Sequence, residues 1–280
     1  MSIIILCLVL FVLAVVWVVT ASFAIVWYEY SNSDPAAVNE RFSANNVLLA
    51  IQLLLSESCA LGFTLLCYPL GWFFLRLPGR GDGDQTPVLL LHGLFHNSGC
   101  WFVTVQRLRH LGFDEVHTLN LSPREDIDIL VERVAQRIEE LRHRLGVEKV
   151  DLVGHSMGGI LARYYVQCQG GAPYVRNCVL LATPHGGSKL APFVVTRLGQ
   201  LLVPGSAFLT ALAARPLPEQ VAFTAICSRH DNMVLPWQNA TLAGVKNVEL
   251  DGLGHTGLLY HPDAFAAIVA GLQRKPHAHS

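Results

Sequence analysis

A serine with the surroundings of a catalytic nucleophile lies near the middle of the chain, in Gly154-His155-Ser156-Met157-Gly158. A strand-like run, Val150–Val153, precedes this motif, and a helix-like run, Ile160–Gln169, follows it. A G-x-S-x-G motif between a strand and a helix places the serine on a sharp turn, where its hydroxyl is exposed above the sheet. The following helix directs its first amides and the positive end of its dipole toward the same point. The motif therefore predicts that Ser156 is a nucleophile rather than part of an ordinary turn.

The nucleophile needs a base, because a hydroxyl is weakly reactive until its proton is removed. After a serine of this kind, the acid and then the base follow along the chain. His255 lies in a glycine-rich turn, residues 252–257, between the last strand-like run and the final helix-like run. His185 follows a strand too closely to approach the serine from above, and His261 lies at the start of the last helix. The sequence thus predicts His255 as the base.

The base in turn needs an acid that orients the imidazole and stabilises its charged form. Asp231 lies in a loop after a strand-like run and is the only carboxylate between Glu219 and Glu249. Asp251 is the alternative, but it lies so close before His255 in the turn that it is expected to be too near. A third interpretation is that Asp231 only caps its own loop. We predict Asp231 as the acid.

Attack on a carbonyl group produces an oxyanion, which requires hydrogen-bond donors that are already in place. The backbone N–H of Met157, directly after the nucleophile, is one candidate. The other is expected in the loop after the first strand, HGLFHN, where the Leu94 N–H is the best candidate and Gly93 permits close approach of the backbone. His92 is predicted to be a buried residue that braces this loop rather than a second base.

These residues need a framework, and from Thr86 onward short apolar runs alternate with helix-like stretches. Nearly continuous apolar runs are typical of parallel strands that are covered on both faces. Their alternation with helices predicts an α/β fold with a doubly wound, mostly parallel sheet. The predicted strands are Pro87–Leu91, Val116–Leu121, Val150–Val153, Cys178–Ala182, Val221–Cys227 and Val245–Leu250.

Two segments between these strands are predicted to be helical. Asp126–Leu145 repeats apolar residues at helical spacing, with charge on the other side, and predicts an amphipathic helix. Residues 190–215 are apolar and interrupted by Pro204-Gly205. We interpret the second segment as a cap of two short helices over the site, at about residues 188–216. An ordinary core helix is the alternative.

The N-terminal part of the chain is far more apolar than the rest. The whole chain is 52% hydrophobic and only 15% charged, and Met1–Tyr28 has no charged side chain. About 20 apolar residues cross a bilayer as a helix, so this stretch predicts a membrane anchor. A cleaved signal peptide is the alternative, but the stretch lacks N-terminal Lys or Arg and is longer than the apolar part of a signal peptide. The net charge of -1 gives no indication of a nucleic-acid-binding surface.

A second apolar stretch, Val47–Leu77, carries Glu57 near its middle. It is predicted to span the membrane or to be half inserted, packed on the first stretch; an amphipathic segment at the interface is the alternative. Because a carboxylate facing lipid is costly, Glu57 is expected to face the partner helix, face water or be protonated, and the helix-pair contact is preferred. The predicted division is a membrane-anchoring region at 1–78, a linker at 79–85 and a catalytic domain at 86–275.

The side of the membrane on which the catalytic domain lies is predicted from only a few charged residues. If both stretches span, the N-terminus and the catalytic domain share a side. Arg76 and Arg80 flank the catalytic side, whereas Arg41 between the stretches is outnumbered by carboxylates. The positive-inside rule then places the catalytic domain in the cytoplasm, at a bacterial inner membrane. If the second stretch lies on the membrane surface, the prediction inverts.

Five segments together resemble, in order and spacing, the bacterial lipases and related esterases of the α/β-hydrolase superfamily: LLLHGLFHN, VGHSMGG, ATPHGGS, HDNMVLP and GHTGLL. The resemblance covers residues 86–273. It implies an α/β-hydrolase fold and hydrolysis of carboxylic esters through an acyl-enzyme. It also implies Ser156, Asp231 and His255 as the triad, with Leu94 and Met157 as oxyanion donors. ATPHGGS is similar to the loop that opens the cap in such lipases.

The chain departs from this family in two respects. Secreted members have a cleaved signal and often a calcium site near the histidine loop. This chain has a hydrophobic anchor instead, and no convincing cluster of carboxylates lies near His255. We therefore expect neither a metal nor a cofactor.

The anchor and the apolar cap predict a substrate drawn from the membrane, an acyl ester of a lipid such as a glycerolipid or a lysophospholipid. The expected partners are this substrate and the bilayer, with no nucleic acid. The same triad would serve an acyltransferase, a thioesterase or a serine peptidase, because a fold does not determine function. A catalytically idle membrane scaffold is the alternative from another class, and three catalytic residues in the correct order argue against it.

Overall fold

The computed structural model describes residues 2–33, 42–73 and 86–274. The predicted linker at 79–85 lies outside the described residues, as do the C-terminal residues 275–280. The three arginines on which the orientation depends, Arg41, Arg76 and Arg80, also lie outside them. The division into regions and the cytoplasmic orientation therefore stay predictions.

The described residues contain one sheet of six parallel strands, in the order β2-β1-β3-β4-β5-β6. The order reverses at β1, which has β2 on one side and β3 on the other. This is the predicted doubly wound α/β architecture, and all six predicted strands are present with small changes at their ends. Their bounds are Val88–Leu91 (β1), Val116–Leu119 (β2), Val150–His155 (β3), Val175–Leu181 (β4), Ala222–Ser228 (β5) and Lys246–Leu250 (β6).

The helices fall into an N-terminal group and a group that packs around the sheet. The N-terminal group comprises Ile3–Ser33 (α1), Ala44–Leu66 (α2) and Leu70–Phe73 (α3). The others are Phe102–His110 (α4), Ile127–Leu145 (α5), Met157–Cys168 (α6), Arg197–Leu201 (α7), Ala207–Ala214 (α8) and Pro262–Leu272 (α9).

The sheet is covered on both faces, which explains the continuous apolar runs of its central strands. In β1, Leu89 and Leu91 belong to the core that includes α5 and α6. Val88 and Leu90 point the other way, into the core that includes α4 and α9. The alternation of side chains along a strand thus supplies apolar groups to both cores.

The predicted amphipathic helix is confirmed as α5. It begins at Ile127 and ends before Gly146, whose φ of 65° is the left-handed conformation that glycine adopts at helix ends. The residues predicted as its apolar face are all buried: Ile127, Leu130, Val131, Val134, Ile138 and Leu141.

Helices α1 and α2 are long and apolar enough to cross a membrane. Only 11% of the most apolar window of α1, and 17% of that of α2, is buried inside the protein. Large exposed apolar surfaces mark protein or membrane contacts. The second stretch is not one continuous helix to Leu77: α2 ends at Leu66, and a turn before Leu70 separates it from α3. Pro69 explains the break, because the residue before a proline disfavours helical geometry.

The two apolar helices contact the rest of the chain through polar groups. All of these contacts reach loops that follow the carboxyl ends of strands, the edge of the sheet where Ser156 lies. They include Ser22 Oγ with Asn232 Nδ2 at 2.7 Å, Thr64 Oγ1 with Tyr260 Oη at 2.7 Å, and the Glu29–Lys189 ion pair. In the turn after α2, Tyr68 O accepts from Asn97 Nδ2 at 2.7 Å. The helix pair therefore covers the edge that carries the predicted site.

Replacement of Ile138 by alanine should destabilise the catalytic domain, because this side chain is fully buried beneath α5. The expected loss is about 2–5 kcal/mol of unfolding free energy. Ile129→Ala on the same helix is the matched control, since Ile129 is 47% exposed; its expected effect is within about 0.5 kcal/mol. Urea unfolding in detergent, followed by tryptophan fluorescence, measures both. Equal losses for the two variants would contradict the assigned face of α5.

Candidate active site

Ser156 lies on the turn between β3 and α6, as its motif predicts. Its φ of 55° and ψ of -122° fall where residues with side chains are rarely found, at a cost of about 1–3 kcal/mol. Its N–H donates to Leu181 O at 2.9 Å, and its carbonyl oxygen accepts from Gly159 N at 3.0 Å. These bonds connect the turn to β4 and to α6, and together they hold the strained conformation.

Two glycines of the motif are required by close packing of backbone on backbone. A Cβ atom on Gly154 would lie 2.5 Å from the Gly158 carbonyl oxygen and from Gly159 Cα. A Cβ atom on Gly158 would collide with the carbonyl groups of Leu91 and His92. Backbone atoms cannot swing aside as a flexible side chain can. Glycine at both positions therefore allows α6 to begin directly against the ends of β1 and β3.

Asp231 and His255 form the predicted hydrogen-bonded pair. His255 Nδ1 lies 2.9 Å from Asp231 Oδ2 and 3.1 Å from Oδ1, and both residues are buried. When Nδ1–H donates to the carboxylate, Nε2 presents its lone pair as a proton acceptor. The pair therefore has the arrangement that a general base requires.

The alternatives for the acid differ in geometry. Asp251 is exposed and lies 3.8 Å from Arg229 in an ion pair on the surface. Asp231 does cap its own loop, because Oδ1 accepts from the amides of Met233 and Val234 at 2.7 and 2.8 Å. The same bonds orient its carboxylate toward His255, so the capping and orienting interpretations are compatible.

Burial and charge act on the pKa of His255 in opposite directions. Burial lowers it, whereas the charge and hydrogen bond of Asp231, and the charge of Glu57, raise it. The outcome is a pKa above the usual 6.5 of histidine. By contrast, burial lowers the pKa of His92 to about 4 and that of His96 to about 3. His255 is thus the group in this set that can exchange a proton near neutral pH.

Ser156 and His255 line the same cavity, which has a volume of about 280 Å³. Among the residues that the structure describes, no hydrogen bond joins Ser156 Oγ to the imidazole. Such bonds are often long in unliganded sites and tighten in the reacting complex. The cavity brings the predicted nucleophile and base together at one surface.

Leu94 and Met157 lie on the two loops that meet where the strand order reverses. Loops leaving the carboxyl ends of neighbouring strands at such a point form the crevice in which open α/β sheets bind ligands. Met157 is the first residue of α6, and the first amides of a helix have no acceptor within it. Leu94 lines the Ser156 cavity, and a Cβ atom on Gly93 would lie 3.1 Å from Ser156 Cβ. The structure thus brings both predicted donor residues beside the nucleophile.

His92 braces this loop, as the sequence predicts. Its Nδ1 donates to Gly93 O at 2.8 Å, and its Nε2 accepts from Leu121 N at 2.9 Å. The ring is buried. Because both nitrogens are engaged, His92 is not placed to act as a second base.

Residues 88–207, which include the nucleophile turn, match the alpha/beta hydrolase family. The part of the chain that contains the sheet has the α/β-hydrolase fold. Its fold is similar to that of a lipase of Bacillus licheniformis in mature form, with a TM-score of 0.59, 19% identity, and coverage of 69% of this chain and 95% of that chain. It is also similar to Aspergillus fumigatus lipase B, with a TM-score of 0.63, 21% identity, and coverage of 72% and 55%. At these identities the likeness shows the fold alone.

Two bacterial relatives are similar in sequence to the α/β-hydrolase domain. A triacylglycerol lipase of Pseudomonas fragi is 31% identical over 149 residues, which cover 48% of this chain and 50% of the relative. A triacylglycerol lipase of Pseudarthrobacter phenanthrenivorans is 33% identical over 117 residues, which cover 39% and 36%. The chain therefore spans half the length, or less, of these relatives.

The cap predicted for the α/β-hydrolase domain corresponds to α7 and α8 and the residues around them. Four apolar side chains of this segment line the Ser156 cavity: Leu190, Ala191, Val194 and Leu202. The segment contains two short helices rather than one continuous helix, and residues before and within α7 lie at the cavity, whereas Leu209 and Leu212 of α8 belong to the core that includes α6. Its role as a cap stays a prediction. The opening of this cap stays a prediction.

Two histidines of the α/β-hydrolase domain were not singled out from the sequence. His155 Nε2 donates to the His255 carbonyl oxygen at 3.2 Å, and the ring centroids lie 4.7 Å apart. His96 stacks on His155 at 5.8 Å. Burial lowers the pKa of His155 well below its usual range, so it supports the base as a neutral group. No local pattern indicates this contact, because it joins residues far apart in the chain.

The expected contact of Glu57 with the partner helix is wrong. Its carboxylate faces the α/β-hydrolase domain, where it accepts from the backbone amides of Thr256 and Gly257 at 2.7 and 2.8 Å. A lone acidic residue in an apolar stretch was the sequence signal for an unusual environment. The identity of its partner required the tertiary structure, because the two segments lie about 200 residues apart.

The imidazole of His255 should titrate above 6.5, and Asp231→Asn should lower its pKa, because the substitution removes the charge and the strongest acceptor at Nδ1. NMR of labelled histidines in the full-length protein measures both values. Asp251→Asn is the matched control and should leave the titration unchanged. An unchanged His255 pKa in the Asp231 variant would contradict the assignment of the acid.

Proposed function

We propose that the protein is a membrane-associated serine hydrolase that cleaves carboxylic esters of lipids through an acyl-enzyme on Ser156. The observation that carries this proposal is the buried Asp231–His255 pair, hydrogen-bonded at 2.9 Å and lining one cavity with the strained Ser156. Strained, non-glycine backbone maintained by surrounding hydrogen bonds is characteristic of functional sites.

In the proposed mechanism, Ser156 Oγ attacks the ester carbonyl carbon while His255 Nε2 takes the hydroxyl proton. The backbone N–H groups of Leu94 and Met157 stabilise the oxyanion of the tetrahedral intermediate. The intermediate collapses, the imidazolium gives its proton to the leaving alkoxide, and an alcohol departs. Water then attacks the acyl-enzyme with His255 again as base, releasing a carboxylic acid and free Ser156.

Two lines of similarity support ester hydrolysis. The relatives from Pseudomonas fragi and Pseudarthrobacter phenanthrenivorans are triacylglycerol lipases. Their matches cover at most half of each relative, so the activity proposed for this chain depends chiefly on the site. A fold shared with lipases is compatible with this activity but does not establish it.

The cavity supports a lipid acyl group as the substrate portion beside Ser156. Its lining is mostly apolar and comes from the cap and from both N-terminal helices. Val18 and Val19 of α1 and Leu61 and Leu65 of α2 contribute to it. Helices with exposed apolar surfaces would place this opening within reach of the bilayer interior. An acyl chain could then pass from the membrane to Ser156 without crossing water.

Ser156→Ala should abolish hydrolysis and covalent labelling by a fluorophosphonate, because no nucleophile would remain to form the adduct. Ser122→Ala is the matched control and should keep both, since Ser122 is not at the cavity. The assay uses the full-length protein with oxygen ester, thioester and phospholipid substrates, with alcohol acceptors added to detect acyl transfer. An unlabelled wild type, or equal labelling of the Ser156 variant, would refute the proposal.

Leu61→Trp should shift substrate preference toward short acyl chains, because a larger ring would occupy the proposed acyl path. We expect kcat/KM for a palmitate ester to fall by at least about tenfold, with little change for a butyrate ester. Leu66→Trp is the matched control, because Leu66 lies on the same helix but is 67% exposed. If both esters are affected equally by Leu61→Trp, the acyl chain does not follow this path.

A further inference from the structure

Glu57 is an ionisable residue of an apolar helix that reaches the active-site loop of another part of the chain. It is 1% exposed. Oε1 accepts from Thr256 N at 2.7 Å and Oε2 accepts from Gly257 N at 2.8 Å. These amides directly follow His255. The carboxylate also lines the cavity that contains Ser156.

The loop on the other side of His255 fits against the same carboxylate. A Cβ atom on Gly254 would collide with Glu57 Oε2, and one on Gly257 would lie 3.2 Å from it. The backbone before and after the base therefore packs on a single side chain from α2. A shift of this side chain would move the segment that carries the imidazole.

Helix α1 reaches His255 indirectly, through Asn232 in the loop after β5. Ser22 Oγ accepts from Asn232 Nδ2 at 2.7 Å, and Asn232 Oδ1 accepts from His255 N at 2.9 Å. All three residues are buried. Each apolar helix thus places one polar side chain in a hydrogen-bond network that ends at the backbone of residues 255–257.

A carboxylate in this position is energetically costly unless its contacts are specific. Removal of a carboxylate from water is costly in a protein unless hydrogen bonds compensate it. An apolar side chain would suffice if α2 served only as an anchor. Instead, the two amide hydrogen bonds make the position of the loop around His255 depend on the docking of α2.

We propose that Glu57 is a positioning residue for His255, through its hydrogen bonds to the loop that carries the imidazole, and that catalysis requires α2 to be docked on the domain. The inference rests on the proposed ester hydrolysis. It makes the N-terminal helices a part of the active site as well as an anchor.

The charge of Glu57 supplies a readout that a purely structural role would not change. The groups that face His255 are Asp231 from the loop after β5, Glu57 from α2, His155 from the end of β3 and His96 from the loop after β1. Burial keeps both histidines neutral. Burial disfavours the ionised form of Glu57, whereas its two amide donors favour that form. In that form its charge, like that of Asp231, raises the pKa of His255. The base acts when neutral, so activity falls as pH falls through this pKa. Loss of the Glu57 charge should shift that fall to lower pH.

The test compares Glu57→Gln with the wild type in the full-length, detergent-solubilised protein. Glutamine has nearly the same size as glutamate, but its side-chain NH2 group would face a backbone N–H. Two donors cannot bond to each other, so the loop must shift. We expect kcat and the fluorophosphonate labelling rate to fall by about 10- to 100-fold, because small misplacements of catalytic groups have effects of this order. KM should change little, and the acid limb of the kcat/KM profile should move to lower pH.

Thr64→Val is the matched control on α2. It removes the hydroxyl that contacts Tyr260 Oη at 2.7 Å and leaves the hydrogen bonds of Glu57 to Thr256 and Gly257 in place. We expect activity within twofold of the wild type and an unchanged acid limb. A similar loss in both variants would mean that docking of α2 in general controls activity, and would overturn the positioning role of Glu57.

A second set of variants approaches the contact from the loop. Gly254→Ala should reduce kcat in the wild-type background, because its Cβ displaces the carboxylate. In a Glu57→Ala background the space is free, so the same substitution should have little further effect. This double-mutant cycle tests the contact between Glu57 and Gly254 even if the Glu57→Gln variant folds poorly.

The outcomes separate the inference from the proposed function. A wild type without esterase activity refutes the proposed function. An active wild type with Glu57→Gln at full kcat and an unchanged acid limb, or with additive Gly254 and Glu57 effects, refutes the positioning role alone.

Discussion

The close approach of three backbone segments at the edge of the sheet is the constraint on which the rest of the site depends. The start of α6 packs against the ends of β1 and β3 so tightly that Gly154 and Gly158 leave no room for a side chain. This packing forces Ser156 into its strained conformation and brings the loop with Gly93 and Leu94 beside it. The neighbouring strands then deliver Asp231 and His255 to the same edge, because parallel strands all end on one side. The proposed nucleophile, base and oxyanion donors lie close together because these segments pack at one edge of the sheet.

The apolar helices α1 and α2 pack against the same edge of the sheet. A helix that served only to anchor the chain would need no polar contact with the site. Here α1 and α2 place Ser22 and Glu57 in hydrogen-bond networks that reach the backbone around His255. They also supply apolar side chains to the cavity. If the helices lie in a bilayer, the site opens toward the acyl chains that the proposed reaction requires.

Much of the domain could be predicted because its elements carry local signals. The period of apolar residues in α5 specifies which face is buried, and the runs in β1 and β3 specify strands covered on both faces. The closeness of Ser156, Asp231 and His255, the proposed triad, could be predicted for a related reason: each residue follows a strand, and in a parallel sheet the carboxyl ends of strands meet at one edge. The sequence argued against Asp251 only because it lies so few residues before His255. In the structure Asp251 forms an ion pair with Arg229 on the surface instead. The extent of the second apolar stretch was predicted less well, because hydropathy continues through Pro69 although the helix does not.

The sequence by itself determined the sheet, the nucleophile turn and the order of the catalytic residues, since these depend on patterns within a few residues and on strand order. Only the tertiary structure decided what surrounds the base. His155, Asn232 and Glu57 reach His255 from three separate segments, and no local pattern encodes such contacts. The clearest case is Glu57, whose unusual position is evident in the sequence but whose partner is not. The cost of a buried carboxylate requires some compensating donor, and only the packing of α2 on the histidine loop determines which amides provide it.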